Sequence, residues 1–218
     1  MQNLIYIMGK SATGKDTIYQ KIKEKLDTNI YIPYTTRPQR DGEEQGREYY
    51  FITNEQFKKM LENNKVMEYR SYNTVKANGE KDIWTYATID DKQWKKQGNF
   101  LSIGTLESYN SILKYLKEHP EKNLNMVPVY ISIDENERRK RAIKREGKQK
   151  NRNFKEMERR IKADNIDFSE QKLKEAGITE NETFLNYDLH TCIENILKYV
   201  QIKTKETTCK KEKEDDER

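Results

Sequence analysis

The sequence predicts an α/β fold with a central parallel sheet. Three observations carry that expectation: apolar residues gather into a few short continuous runs, each run leads into a stretch with helical character, and the first run ends in a glycine-rich loop. Charged residues make up 36% of the 218-residue chain and apolar residues 33%, so the short runs must supply the buried strands. The length suits one domain with lobes better than two independent domains, each of which would be small.

The elements follow in order. Leu4 to Met8, "LIYIM", is a continuous run rich in β-favouring residues and reads as a strand buried on both faces. Asp16 to Leu26 then places Ile18, Ile22 and Leu26 on one helical face. Residues 31–97 differ in character, with turn residues, tyrosines and alternating segments such as "REYYFIT", and read as an inserted lobe of short strands, mixed or antiparallel. Phe100 to Ile103 and Val127 to Ile133 are further buried strands, each followed by a helix. After Ile133 comes a strongly basic helical stretch broken near Gly147, and "TFLNYDLHTCIENILKYV" supplies the last strand and helix. These divisions give a core of residues 1–30 and 98–200 around the lobe. Residues 201–218 carry many charges and one aliphatic residue, and read as a disordered tail.

Composition excludes several classes. The net charge of +5, from 42 Lys and Arg against 37 Asp and Glu, describes a mixed surface and gives little weight to nucleic-acid binding. Cys192 and Cys209, with His119 and His190, have neither metal-ligand spacing nor a disulfide pattern, which argues against zinc or a cysteine–histidine pair. No apolar stretch approaches the ~18 residues of a membrane span, and no basic region precedes the first apolar run. A soluble cytoplasmic protein is expected, with no membrane partner.

The loop after the first strand, "GKSATGKDT" (Gly9, Lys10, Ser11, Ala12, Thr13, Gly14, Lys15, Asp16, Thr17), fits the phosphate-binding pattern G-x-x-x-x-G-K-[ST] up to its last position. Strand, glycine loop and helix is the context of the three-layer P-loop fold, where backbone N–H groups and a helix dipole converge on phosphate. Gly9 and Gly14 supply backbone freedom and Lys15 a cation for nucleoside triphosphate. Asp16 stands where a metal-holding hydroxyl is usual; it can hold Mg²⁺ by its carboxylate, or cap the helix. Thr17 keeps a hydroxyl one residue on.

In the lobe, "YTTRPQRDGEEQGREYYFIT" sets Arg37 and Arg40 three residues apart in an extended segment, with Tyr49 after a glycine-bearing turn. Two guanidinium forks and a phenol make a cradle for a second phosphate group. This segment resembles the monophosphate-binding lobe of guanylate kinases, approximately T-T-R-x-x-R-x-G-E-x-x-G-x-x-Y-x-F, through Thr35, Thr36, Arg37, Arg40, Gly42, Glu43, Gly46, Tyr49 and Phe51. The resemblance runs from Leu4 to about Val200. It implies a nucleoside monophosphate kinase that moves the γ-phosphate of ATP, with Mg²⁺, onto GMP or dGMP.

By that resemblance Arg37, Arg40, Tyr49 and Tyr86 hold the acceptor phosphate, while Glu68 in "KVMEY" and Thr88 in "TYAT" address the base. A helical lid over residues 136–160 brings Arg141, Arg145 and Arg160 toward ATP, most of the lysines in this run being a solvated face. Asn186 in "FLNYDL" lies near adenine or satisfies loop backbone. Lys15, Arg37, Arg145 and Arg160 are the expected catalytic groups, since phosphoryl transfer rests on positioning and charge neutralisation.

Two departures stand out. The family follows its central strand with D-x-D, where this chain has Ser102-Ile103-Gly104, and Pro33 replaces a serine before T-T-R. Both weaken guanine recognition, which leaves open another nucleotide or a sugar phosphate as acceptor. A non-catalytic module that binds phosphopeptides is the alternative from a different class.

Overall fold

The computed structural model describes residues 1–75, 80–148 and 152–216, excepting the side chains of residues 75 and 206–216, Cys209 among them. Numbering elements in chain order, the first strand is Gln2–Gly9 (β1), followed by helix Lys15–Lys25 (α1). A five-stranded parallel sheet has β1 at its centre, flanked by Phe100–Gly104 (β7) and Leu124–Ser132 (β8), with Asn29–Ile30 (β2) and Thr183–Leu185 (β9) at its edges.

Alternation along β1 decides both faces of the core. Leu4, Tyr6 and Met8 pack with Phe100, Tyr130 and Ile112, the last from helix Leu106–Glu118 (α3). Ile5 and Ile7 point the other way, against Ile18 and Ile22 of α1 and Ile193 and Ile196 of the last helix, Leu189–Asp216 (α7). Helices on both faces are what an all-parallel sheet requires. Cys192 is buried in the second cluster, and burial pushes its thiol up to about 11.

The inserted lobe forms a second sheet of four strands. Tyr34–Thr35 (β3), Tyr50–Phe51 (β4), Val66–Val75 (β5) and Lys81–Ile89 (β6) lie in the order β4-β3-β6-β5. The sheet is mixed, within the sequence expectation, and departs from it in strand length and in an added helix. The pairing of β3 with β4 is parallel, because the loop between them, which turns on Gly42 and Gly46 at positive φ, brings the chain back in its original direction. Strands β5 and β6 are long, and a helix, Asn54–Glu62 (α2), opens on a Thr53–Gln56 capping box that alternation alone did not reveal.

Beyond β8 come helices Glu135–Gly147 (α4), Phe154–Asp167 (α5) and Glu170–Glu175 (α6). The disordered tail expected from residue 201 is corrected by α7, which continues without a break past Val200 to Asp216. Lysine and glutamate are good helix formers, so a charged segment extends a helix already anchored by Ile193, Ile196 and Val200. Among the described residues no helix is long and apolar enough to cross a membrane.

Because Ile7 is fully buried on the central strand of the sheet, Ile7→Ala should lower unfolding free energy by roughly 2–5 kcal/mol in urea titration.

Candidate active site

The loop from Gly9 to Gly14 is held where only glycine fits. A Cβ on Gly9 would meet the Ile131 carbonyl oxygen at 2.6 Å, and one on Gly14, at φ +90°, would overlap the Asn186 amide nitrogen. Asn186 Nδ2 donates instead to the Thr13 carbonyl at 2.7 Å, fixing the loop from β9's end. Ala12 also sits at positive φ, 67°, a strained conformation that the surroundings hold. No side chain caps α1, so its first N–H groups and dipole remain directed at an anion. Asp16 is exposed, 3.6 Å from Lys15 Nζ, and does not take the capping role that the sequence left open.

Helices α4 and α5 grip the same loop. Asp164 Oδ2 accepts from the Ser11 N–H at 2.8 Å and from Arg138 Nη1 at 3.1 Å. Arg138 is fully buried and forks onto Glu135, at 3.0 and 2.8 Å, while Asn165 accepts from both Arg138 and Lys10. A buried guanidinium persists only when so completely paired. Burial and the Arg138 charge pull the Lys10 pKa below the ordinary lysine value. Arg141 donates to the Asn186 carbonyl at 3.0 Å, beside Gly14. Arg145 is exposed on the last turn of α4, and Arg160, also exposed, pairs with Glu156 at 3.0 Å.

Cross-strand register builds one polar face of the lobe. Glu68 lies opposite Thr88 and Arg70 opposite Tyr86, so all four share one face of the β5–β6 pair. The opposite face carries Ala87 and Ile89, which pack on Phe57 of α2. A register shift between Val66 and Glu68 sets this division. Arg37 is buried and forks onto Glu43 at 3.0 and 2.8 Å, with the Tyr49 ring 5.5 Å from its guanidinium carbon and the Tyr49 and Tyr86 rings 5.7 Å apart. Burial opposes the Arg37 charge, but Glu43 and Tyr86 outweigh it and raise its pKa; Arg37 in turn holds the Glu43 carboxyl below its ordinary 4.5. Arg40 is exposed, and its main-chain N–H donates to Glu43 at 2.8 Å.

Glu68 Oε1 accepts from Thr88 Oγ1 at 2.9 Å. Its Oε2 lies 3.3 Å from Arg70 Nε in an ion pair without hydrogen-bond alignment, and both atoms are buried with no hydrogen-bond partner. Burial raises the Glu68 pKa, against the opposing pull of Arg70 and Thr88.

Helix α1 and the inserted lobe line one cavity of about 380 Å³. Asp16 and Lys23 of α1 line one side, and Arg47, Glu48 and Tyr49 of the lobe line the other. Asp16 at the start of α1 and Tyr49 of the lobe thus face a shared space. A family model described as "Guanylate kinase" matches residues 1–183.

The chain belongs to the guanylate kinase family.

A guanylate kinase of Porphyromonas gingivalis is 27% identical over 208 residues, covering 92% of this chain and 97% of that protein. One from Fusobacterium nucleatum is 35% identical over a shorter stretch of 85 residues, 37% of this chain and 46% of that protein. The crystal structure of guanylate kinase from Anaplasma phagocytophilum shares the fold with a TM-score of 0.56 at 18% identity, over 93% of this chain and 86% of that one.

The structure sets Arg141 and Asn186 against the Gly9–Thr17 segment, brings Arg37, Tyr49 and Tyr86 together in the lobe, and pairs Glu68 with Thr88. It leaves Arg40, Arg145 and Arg160 on the surface. Sequence reasoning missed Arg138 and Asp164, hidden in a run of charges, and Arg70, two residues from Glu68 and so on its face of the strand. Spacing by two along the predicted strand was the signal that could have found Arg70.

The Arg37–Glu43 pair should give an acid-dependent stability. A carboxyl whose folded pKa is depressed stabilises the fold above the unfolded value, here about 4.5, and loses that contribution as pH falls through the folded value. Glu43→Gln should therefore melt below the wild type from pH 8 to 5, with the gap closing toward pH 3; a pH-independent gap would refute the linkage.

Proposed function

We infer that this protein catalyses transfer of the γ-phosphate of ATP to GMP or dGMP. The carrying observation is the single cavity onto which both Asp16, at the start of α1, and Tyr49, in the acceptor lobe, open. Gly9, Gly14 and Lys15 are retained, which supports transfer over a purely binding role, and a cytoplasmic location goes with that reading.

The acceptor needs no general base. A phosphate monoester has its second pKa near 6, so at neutral pH its oxygen is already the nucleophile. That oxygen attacks the γ-phosphorus, the bond to the bridging oxygen breaks, and ADP leaves with the charge. The protein's task is to bring two polyanions together. Arg37 keeps one buried donor, Nε, without a partner, and Tyr86 lies beside it, so an acceptor phosphate oxygen would complete that fork. Arg40, on the exposed edge of the same loop, and Tyr49 close the cradle. Lys15 and the N–H groups at the start of α1 take the β- and γ-phosphates, and Arg141 approaches from α4. Arg145 and Arg160 would join only if α4 and α5 shift on nucleotide binding, as lid closure over substrates requires.

Magnesium fits the donor side. Mg²⁺ commonly takes one or two carboxylates together with substrate phosphates, and Asp16 offers an exposed carboxylate on the first turn of α1, at the cavity wall. Held by Asp16, it would supply positive charge that offsets the repulsion between the two polyanions.

ADP release measured with each common nucleoside monophosphate should show turnover with GMP and dGMP, and Lys15→Met should lower kcat by roughly a hundredfold or more. Absence of activity with every guanine nucleotide would overturn the assignment.

A further inference from the structure

The family's acid after the central strand is absent here, and the structure shows what fills its place. A Cβ on Gly104 would overlap the Tyr6 hydroxyl, which is buried from β1 and hydrogen-bonds with Ser108 Oγ at 2.5 Å. Ser108 Oγ reaches Thr105 Oγ1 at 3.2 Å, and Arg70 Nη1 donates to the same Thr105 oxygen at 2.8 Å. Arg70 Nε then faces Glu68 Oε2, and Thr88 holds the other Glu68 oxygen. One polar chain thus runs from β1, across the N-terminus of α3, to the acceptor face of the lobe. It is complete except at one point. The Nε donor of Arg70 and the Oε2 acceptor of Glu68 sit side by side, each buried and each without a hydrogen-bond partner.

We propose that Arg70 is a specificity-determining residue of the acceptor site, which with Glu68 reads the edge of a 6-oxopurine where a carbonyl adjoins a ring N–H. The proposal rests on the guanylate kinase reading and on Glu68 addressing the base. A carbonyl takes the Arg70 N–H, and the ring N–H beside it takes Glu68 Oε2. The guanine 2-amino group gains less than in the family pattern, because Gly104 brings no second carboxylate to it. Adenine presents its donor and acceptor in the reverse order, and the phosphate cradle prevents the base from turning over. The pocket therefore selects the 6-oxo edge and largely ignores position 2.

The test compares kcat and KM for GMP, inosine monophosphate and AMP, with saturating ATP, in wild type, Arg70→Met and Arg70→Lys. Wild type should use inosine monophosphate with kcat/KM within roughly thirtyfold of GMP and discriminate against AMP more strongly than that. Arg70→Met should raise KM for both 6-oxopurines by roughly tenfold or more with kcat changed far less, since the lost contact is to the base. Its ATP-induced rise in Tm should match the wild type, showing a folded protein with an intact donor side. Arg70→Lys keeps the charge without the fork and should raise KM in the same direction, and it carries the test if Arg70→Met does not fold. A GMP preference beyond thirtyfold over inosine monophosphate, equal use of AMP, or an unchanged KM in the Arg70 variants would overturn the proposal while leaving the kinase reading intact. Failure of the wild type to phosphorylate any nucleoside monophosphate would instead remove the kinase reading itself.

Discussion

Strand β1 is buried on both faces and hydrogen-bonded along both edges, and this double constraint determines where the Gly9–Gly14 loop emerges. The loop leaves the sheet between β7 and β8, against the Ile131 carbonyl and under Asn186, in a space that admits no side chain at either glycine. Helix α1 then begins with no side chain capping its first N–H groups. The position of this loop is thus a consequence of core packing, and the α4–α5 pair is fastened to it.

The core was legible because its signal is continuous. Five apolar letters ended by glycine, with apolar residues at helical spacing beyond, have few other interpretations, and Leu4 to Met8 reads almost as drawn. The acceptor lobe was legible in its motif but not in its shape. Arg37 and Tyr49 could be placed together from their pattern, whereas the parallel pairing of β3 with β4 depends on the path of a glycine loop, which local periodicity does not encode. The tail was misjudged for a related reason: low hydrophobicity rules out an independent core but not the extension of a helix that is anchored elsewhere.

The arginines divide along the same line. The family resemblance pointed to Arg145 and Arg160, but the residue that ties α4 and α5 to the loop is Arg138, and only three-dimensional packing shows that it is wholly enclosed. Its partner Asp164 accepts the Ser11 N–H. The position of α4 and α5 is therefore tied to the backbone of the loop after β1.

The contact between Tyr6 and Gly104 links two positions far apart in the chain into one unit. A carboxylate cannot be introduced at 104 while the phenol occupies that volume, and shortening the phenol alone opens a void in the core and frees Ser108. Redesign of this pocket toward an acidic floor must alter both residues at once, because each single intermediate is worse than either end point. That interdependence makes the present base site a trapped solution, one that a stepwise search through single substitutions would be slow to leave.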